Sequence, residues 1–119
     1  MNTTSTLRKT LPMTAKHISL IRDGIKTTTL RTGRMNGSYA LRIKGKLQLK
    51  VFLTPVGKFS CPITPAGRAK LAASEGYPGD EARFEAALIK LLDVRGHTTG
   101  TDYINGTRKL WLHEIKVVA

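Results

Sequence analysis

Ile18, Ile21 and Ile25 recur near helical spacing, and Thr14 stands ahead of them as a residue able to cap, so the pattern predicts a helix from there to about Asp23. Gly24 follows, where a left-handed C-terminal cap costs glycine least. The β-branched run Thr27-Thr28-Thr29 then takes over before Leu30 and Arg31. A helix stops there and a short strand begins. Strand side chains alternate between faces, which puts Thr27, Thr29 and Arg31 on one side and Thr28 and Leu30 on the other, with Lys26 at the bend.

Beyond Arg31, the glycine- and asparagine-rich segment from Thr32 to Gly37 connects to a second strand over Tyr39 to Ile43. Lys44-Gly45-Lys46 reads as a tight turn, and alternation from Leu47 to Leu53 predicts a third strand. Pro55-Val56-Gly57 reads as a break. Thr64-Pro65 opens a helix, because threonine caps and proline is tolerated at the first helical position, and Arg68 to Ala73 carry it towards Ser74-Glu75-Gly76-Tyr77. A longer helix from Asp80 to about Asp93 turns a stripe of Phe84, Leu88 and Leu91 or Leu92 towards a core. A polar loop from Arg95 to Thr101, a turn at Asn105-Gly106 flanked by Tyr103-Ile104 and Lys109-Leu110, and a final strand over Leu110 to Val118 complete the pattern. Residues 1–12 read as a loose basic arm.

At 119 residues the chain suits one domain that buries a core without disulfide or metal staples. Its single cysteine, Cys61, excludes an internal disulfide and leaves too few thiols for a cysteine-rich zinc site, so it reads as a small buried residue. His17, His97 and His113 lack metal-ligand spacing, and the expectation is no metal and no cofactor. No window approaches the ~20 apolar residues of a membrane span, and the N-terminal residues lack an apolar signal core, which predicts a cytoplasmic protein without a membrane partner.

Charge changes the picture more than size does. The net charge is +12, and from Met1 to Lys58 twelve basic residues stand against Asp23 alone, a surplus of +11, whereas the remainder holds eight basic and seven acidic residues. A positive field centred on the first half favours a polyphosphate, RNA or DNA, and makes Arg34, Arg42, Lys44 and Lys46 candidate nucleic-acid contacts. Glu75 is the one acidic residue between Asp23 and Asp80, and it sits at a helix end where its charge opposes the macrodipole. It reads either as a surface ion pair or as a carboxylate reaching Lys26. The threonines of the first strand are either ordinary strand formers or a hydroxyl-bearing face, and Trp111 either packs in the core or stacks on a base.

Taken together, Ile21-Arg22-Asp23-Gly24-Ile25-Lys26-Thr27-Thr28-Thr29-Leu30-Arg31 resembles the signature of the ASCH superfamily, whose domains are related to the PUA-like RNA-binding fold. The resemblance continues through Gly37-Ser38-Tyr39, Leu71 to Tyr77 and Trp111 to Ile115, which assigns 13–119 to an ASCH domain and leaves the first dozen residues unmatched. It implies an α+β fold, a small β-barrel with flanking helices and a cleft by the glycine-lysine-threonine turn. Some small bacterial members are N(4)-acetylcytidine amidohydrolases, and their catalytic lysine, threonine and glutamate fall on Lys26, Thr29 and Glu75, with Gly24, Thr27 and Arg31 as substrate-binding positions. Other members bind RNA or are associated with ribonuclease action, so a nucleoside and RNA are both expected partners.

The implied chemistry is physically sensible. A threonine hydroxyl attacks an amide carbonyl when a base takes its proton, and a neutral lysine is such a base. Lowering a lysine from ~10.4 to near ~7 requires roughly 4 kcal/mol from burial or nearby positive charge. An ionised Glu75 opposes that shift, so it is protonated for part of the cycle, donating to the leaving amine, or serves to orient.

Overall fold

The structure, a computed structural model, describes residues 9–118. In chain order the described elements are β1 (Lys9–Thr10), α1 (Ala15–Arg22), β2 (Thr28–Arg31), β3 (Gly37–Ile43), β4 (Lys46–Phe59), α2 (Pro65–Ser74), α3 (Glu81–Leu92), α4 (Thr99–Ile104) and β5 (Leu110–Val118). The caps read from sequence form: the Thr14 and Thr64 side chains accept from the amides of His17 and Gly67, and Gly24 turns the chain at φ +76°; Asp80, read as the start of a helix, caps it by accepting from the Arg83 amide. Lys44 and Gly45, both left-handed, make the two-residue turn that joins β3 to β4.

The strands form one mixed sheet in the order β1-β3-β4-β5-β2, parallel between β1 and β3 and antiparallel elsewhere. This corrects the barrel expectation, because among the described residues β1 and β2 each pair on one side only and the sheet does not close. The helical and strand content agrees with the expected mixture of α and β structure.

Three local expectations also change. Residues Lys9 to Leu11 are not a loose arm: Lys9 and Thr10 pair with Tyr39 and Ala40, the Leu11 amide donates to the Ala40 carbonyl at 3.0 Å, and the Leu11 side chain is buried. The remainder of the arm, residues 1–8 with Arg8, lies outside the described residues. Pro55 does not end the third strand. Pro55 faces His113 and Gly57 faces Leu112, so Val56 is the extra residue of a bulge, a place that tolerates an amide-free residue and lets β4 run on to Phe59. Asn105-Gly106 does turn, with Gly106 at φ +82° and its amide donating to the Tyr103 carbonyl at 3.0 Å, but the turn ends α4, which occupies part of the expected polar loop. The Asp93 carboxylate at the end of α3 accepts from the Gly100 amide at 2.7 Å, from the Thr101 amide at 3.1 Å and from the Thr101 hydroxyl, supplying acceptors that Thr98 does not.

Two clusters of buried side chains make the core. Leu11, Ile18, Ile21, Tyr39, Val51 and Leu53 pack under α1, while Leu30, Leu71, Phe84, Leu88, Tyr103 and Leu110 pack under α2, α3 and α4. Cys61 is buried in the second cluster. Among the described residues no helix is long and apolar enough to cross a membrane.

The end of α2 lies against α1 and against the segment that leads into β2. Gly76 has φ +106°, its amide donates to the Ala73 carbonyl, and the Tyr77 amide donates back to Ala72 at 2.8 Å. A Cβ at Gly76 would stand 3.0 Å from Leu20 and 3.5 Å from Lys26. Gly76→Ala is therefore expected to lower the unfolding free energy by about 1–3 kcal/mol, chiefly through the disallowed backbone conformation, as read by urea denaturation.

Candidate active site

β2 is an edge strand, and its outward amides need acceptors. They find them at the C-terminal end of α2. The Thr27 amide donates to the Ser74 carbonyl at 2.8 Å, and the Leu30 amide donates to Glu75 Oε1 at 3.3 Å. The other carboxylate oxygen of Glu75 accepts from the Thr28 hydroxyl at 2.5 Å. Glu75 thus stands where a further strand would otherwise pair.

Lys26, immediately before β2, completes the arrangement. Its Nζ donates to the Glu75 main-chain carbonyl at 2.9 Å and lies 3.6 Å from Glu75 Oε1. A cation at the negative end of α2 is favourably placed. Lys26, Glu75 and Thr29 are only 5%, 5% and 3% exposed. Thr29 and Arg31 share a face of β2, as alternation requires, and the Arg31 Nε–H donates to Thr29 Oγ1 at 3.2 Å while Nη2 donates to the Pro12 carbonyl.

Burial governs the proton affinities. It pushes the Lys26 ammonium below its ordinary range; Glu75 opposes that shift and Arg31 adds to it. Burial likewise pushes the Glu75 carboxyl up, against the pull of Lys26, the Thr28 hydroxyl, the Leu30 amide and Arg31. Both members of the pair are therefore displaced towards their neutral forms. The Arg31 guanidinium, donating to Thr29, leaves that hydroxyl's own proton free and favours negative charge on its oxygen.

These groups open onto a cleft of about 710 Å³ between α1 and α3. Lys26, Thr29, Arg31 and Glu75 line it from β2 and the end of α2, and Phe84, Leu88, Leu91 and Val94 line it from α3 and the segment that follows. The cleft takes in four of the expected site residues and leaves the others out. Gly24 shapes the turn without lining the cleft, and Thr27 is exposed, bonding through its backbone to Ser74 and Ile115. The hydroxyl that meets Glu75 belongs to Thr28, on the opposite face from the one expected. Arg34, Arg42, Lys44 and Lys46 do not line the cleft: the Arg34 guanidinium lies 6.0 Å from the ring centre of half-buried Trp111, and the other three belong to the β3–β4 hairpin.

Two histidines complete the surroundings. His113 is fully buried, with Nε2 accepting from the Met35 amide at 2.9 Å and Nδ1 placed 3.4 Å from the Thr29 carbonyl, so it ties β2 to the following loop. His17 lines the cleft with Tyr77, their Nε2 and hydroxyl 3.0 Å apart. Neither His17 nor Tyr77 stood out in the sequence, since only the fold brings α1 against the segment after α2. Among the described residues no group of three or more His, Cys, Asp or Glu side chains is placed to hold a metal.

His17 is held to a pKa of about 4 by burial first, then by Lys26, Lys16 and Arg31. Its buried Nδ1 has no hydrogen-bond partner among the described residues, so an imidazolium there would lack an acceptor. A depressed value means that the unfolded chain takes the proton more readily: the stabilisation is complete above the ordinary 6.5 and is lost as pH falls through about 4. His17→Gln is expected to flatten the pH dependence of the unfolding free energy across that interval by the uptake of a single proton relative to the parent. NMR titration of the parent should find the His17 midpoint near 4.

Compared with protein-family models, with curated proteins and with solved structures, the chain finds no match in any of the three.

Proposed function

We propose that the protein hydrolyses the amide of an N(4)-acylated cytidine, as the ASCH resemblance implies, within a PUA-like architecture whose sheet remains open. The observation that supports this reading most is the burial of a lysine, a carboxylate and a threonine hydroxyl together in the lining of a largely apolar cleft. Such a set is costly to bury, and burial displaces the lysine downwards and the carboxyl upwards, the directions that base and acid catalysis need.

In the proposed reaction, neutral Lys26 takes the Thr29 hydroxyl proton as Oγ1 bonds to the acyl carbon. The carbon–nitrogen bond then breaks as protonated Glu75 gives its proton to the leaving N4 amine, releasing cytidine. Water, losing a proton to the Glu75 carboxylate, attacks the threonine ester. The Lys26 ammonium returns the proton to Thr29, and the acid departs. Arg31 stabilises negative charge on Oγ1 through its Nε–H.

A binding-only or ribonuclease role is the second reading, favoured by Arg34 against Trp111 and by the basic surplus of the first half-chain, most of which lies outside the cleft. The two separate by mutation, because Thr29→Ala removes a nucleophile but no phosphate contact.

Purified protein incubated with N(4)-acetylcytidine is expected to release cytidine, and Lys26→Met, Thr29→Ala and Glu75→Gln each to lower kcat/KM by about 10²–10⁴-fold. Full turnover by Thr29→Ala would remove the nucleophile. Activity should rise with pH as Lys26 loses its proton below the ordinary lysine range, and fall as Glu75 loses its own above the ordinary carboxyl range.

A further inference from the structure

The cleft carries more positive charge than the Lys26–Glu75 pair balances. Lys16 on α1, Arg31 on β2 and Lys90 on α3 also line it, and among the described residues Glu75 is the one carboxylate of the lining. Lys16 and Lys90 are exposed at its rim, and neither forms an ion pair among the described residues. Lys16 Nζ stands 6.0 Å from the ring centre of Tyr77, which also lines the cleft. Arg31 uses Nε on Thr29 and one Nη2 hydrogen on Pro12, leaving the Nη1 side of its fork without a protein acceptor among the described residues.

Three unneutralised cations drawn from three different elements around one opening repel one another, and a bound anion relieves that repulsion. Phe84, Leu88 and Leu91 of α3 give the same cleft an apolar surface. The cleft thus pairs a surface suited to a base with a cationic mouth. A neutral nucleoside makes no use of the second feature. A phosphate monoester, carrying about two negative charges at pH 7, matches it better than a singly charged diester does.

We propose that the cleft takes a mononucleotide, with the acylated base between Thr29 and the α3 side chains and the phosphate monoester held by Lys16, Arg31 and Lys90. The proposal rests on the amide-hydrolase reading for its reaction, but the phosphate subsite is testable without turnover.

The first measurement is binding of cytidine 5′-monophosphate against cytidine by NMR titration at low salt. The monophosphate is expected to bind about ten-fold more tightly, with shifts at the amides of Lys16, Arg31 and Lys90 and with the advantage shrinking as salt is added. Equal binding would overturn the subsite whatever the enzyme assay shows. The second measurement compares kcat/KM for N(4)-acetylcytidine, its 5′-monophosphate and a short RNA containing the same base. The monophosphate should be preferred, and the nucleotide-to-nucleoside ratio should fall towards one in Lys16→Ala/Lys90→Ala. Lys58→Ala/Lys116→Ala, which removes the same charge away from the cleft, should keep the ratio. RNA turned over as fast as the mononucleotide, or a ratio that drops equally in both double variants, would overturn the proposal. If no acylated cytidine is hydrolysed while the monophosphate still binds preferentially, the hydrolase reading fails and the phosphate subsite stands.

Discussion

The Glu75 carboxylate closes the edge of β2, and the arrangement around the cleft depends on that contact. An edge strand normally meets water or another strand along its outer amides. Here the Leu30 amide and the Thr28 hydroxyl both donate to a side chain presented by the end of α2, while the Thr27 amide takes the Ser74 carbonyl. The contact fixes α2 against β2, carries Tyr77 on towards His17, and leaves Thr29 and Arg31 on the face that looks into the cleft. It also explains the open sheet. β2 has its outer edge covered by a helix end and not by β1, which pairs at the far side of the sheet with β3.

A buried carboxylate in this position requires a compensating cation, and Lys26 supplies it from the residue pair that leads into β2. Removing one member of such a pair strands the other, at a cost of about 3–5 kcal/mol, whereas replacing both by apolar residues is often nearly neutral. The retention of both charges on a cleft wall is thus poorly explained by stability alone. The same burial that makes the pair costly displaces the proton affinities of both groups, so structural strain and chemical readiness have a common origin.

Much of this was legible in the sequence where local rules decide. Thr14, Gly24, Thr64 and Asp80 punctuate helices through side-chain and backbone geometry that extends over only a few residues, and each stands as expected. The Lys26–Glu75 approach was one of two readings that a lone carboxylate in a basic region allowed, and the burial of both groups decides for it over a surface ion pair. What the sequence concealed depends on contacts between distant segments. The register of β4 against β5 turns Pro55 into a bulge, Asp93 starts a helix that lies beyond an intervening loop, and Thr28 meets Glu75 because α2 packs on the edge of β2 and not on its face. His17 was concealed for the same reason, since nothing near it in the chain announces Tyr77.

The proton shared by Lys26 and Glu75 links these observations to the proposed chemistry. Near neutral pH the pair holds one labile proton, and two forms compete: an ammonium beside a carboxylate, or an amine beside a carboxylic acid. The hydrogen bonds from Thr28 and Leu30 favour the carboxylate, and burial favours the neutral form. A ligand filling the cleft would remove water from the wall that holds Lys26 and Glu75, which strengthens the burial contribution without moving a residue. That shift favours the form with the proton on glutamate over the form with it on lysine. In the proposed hydrolysis the same displacement favours at once the base that Thr29 needs and the acid that the leaving amine needs.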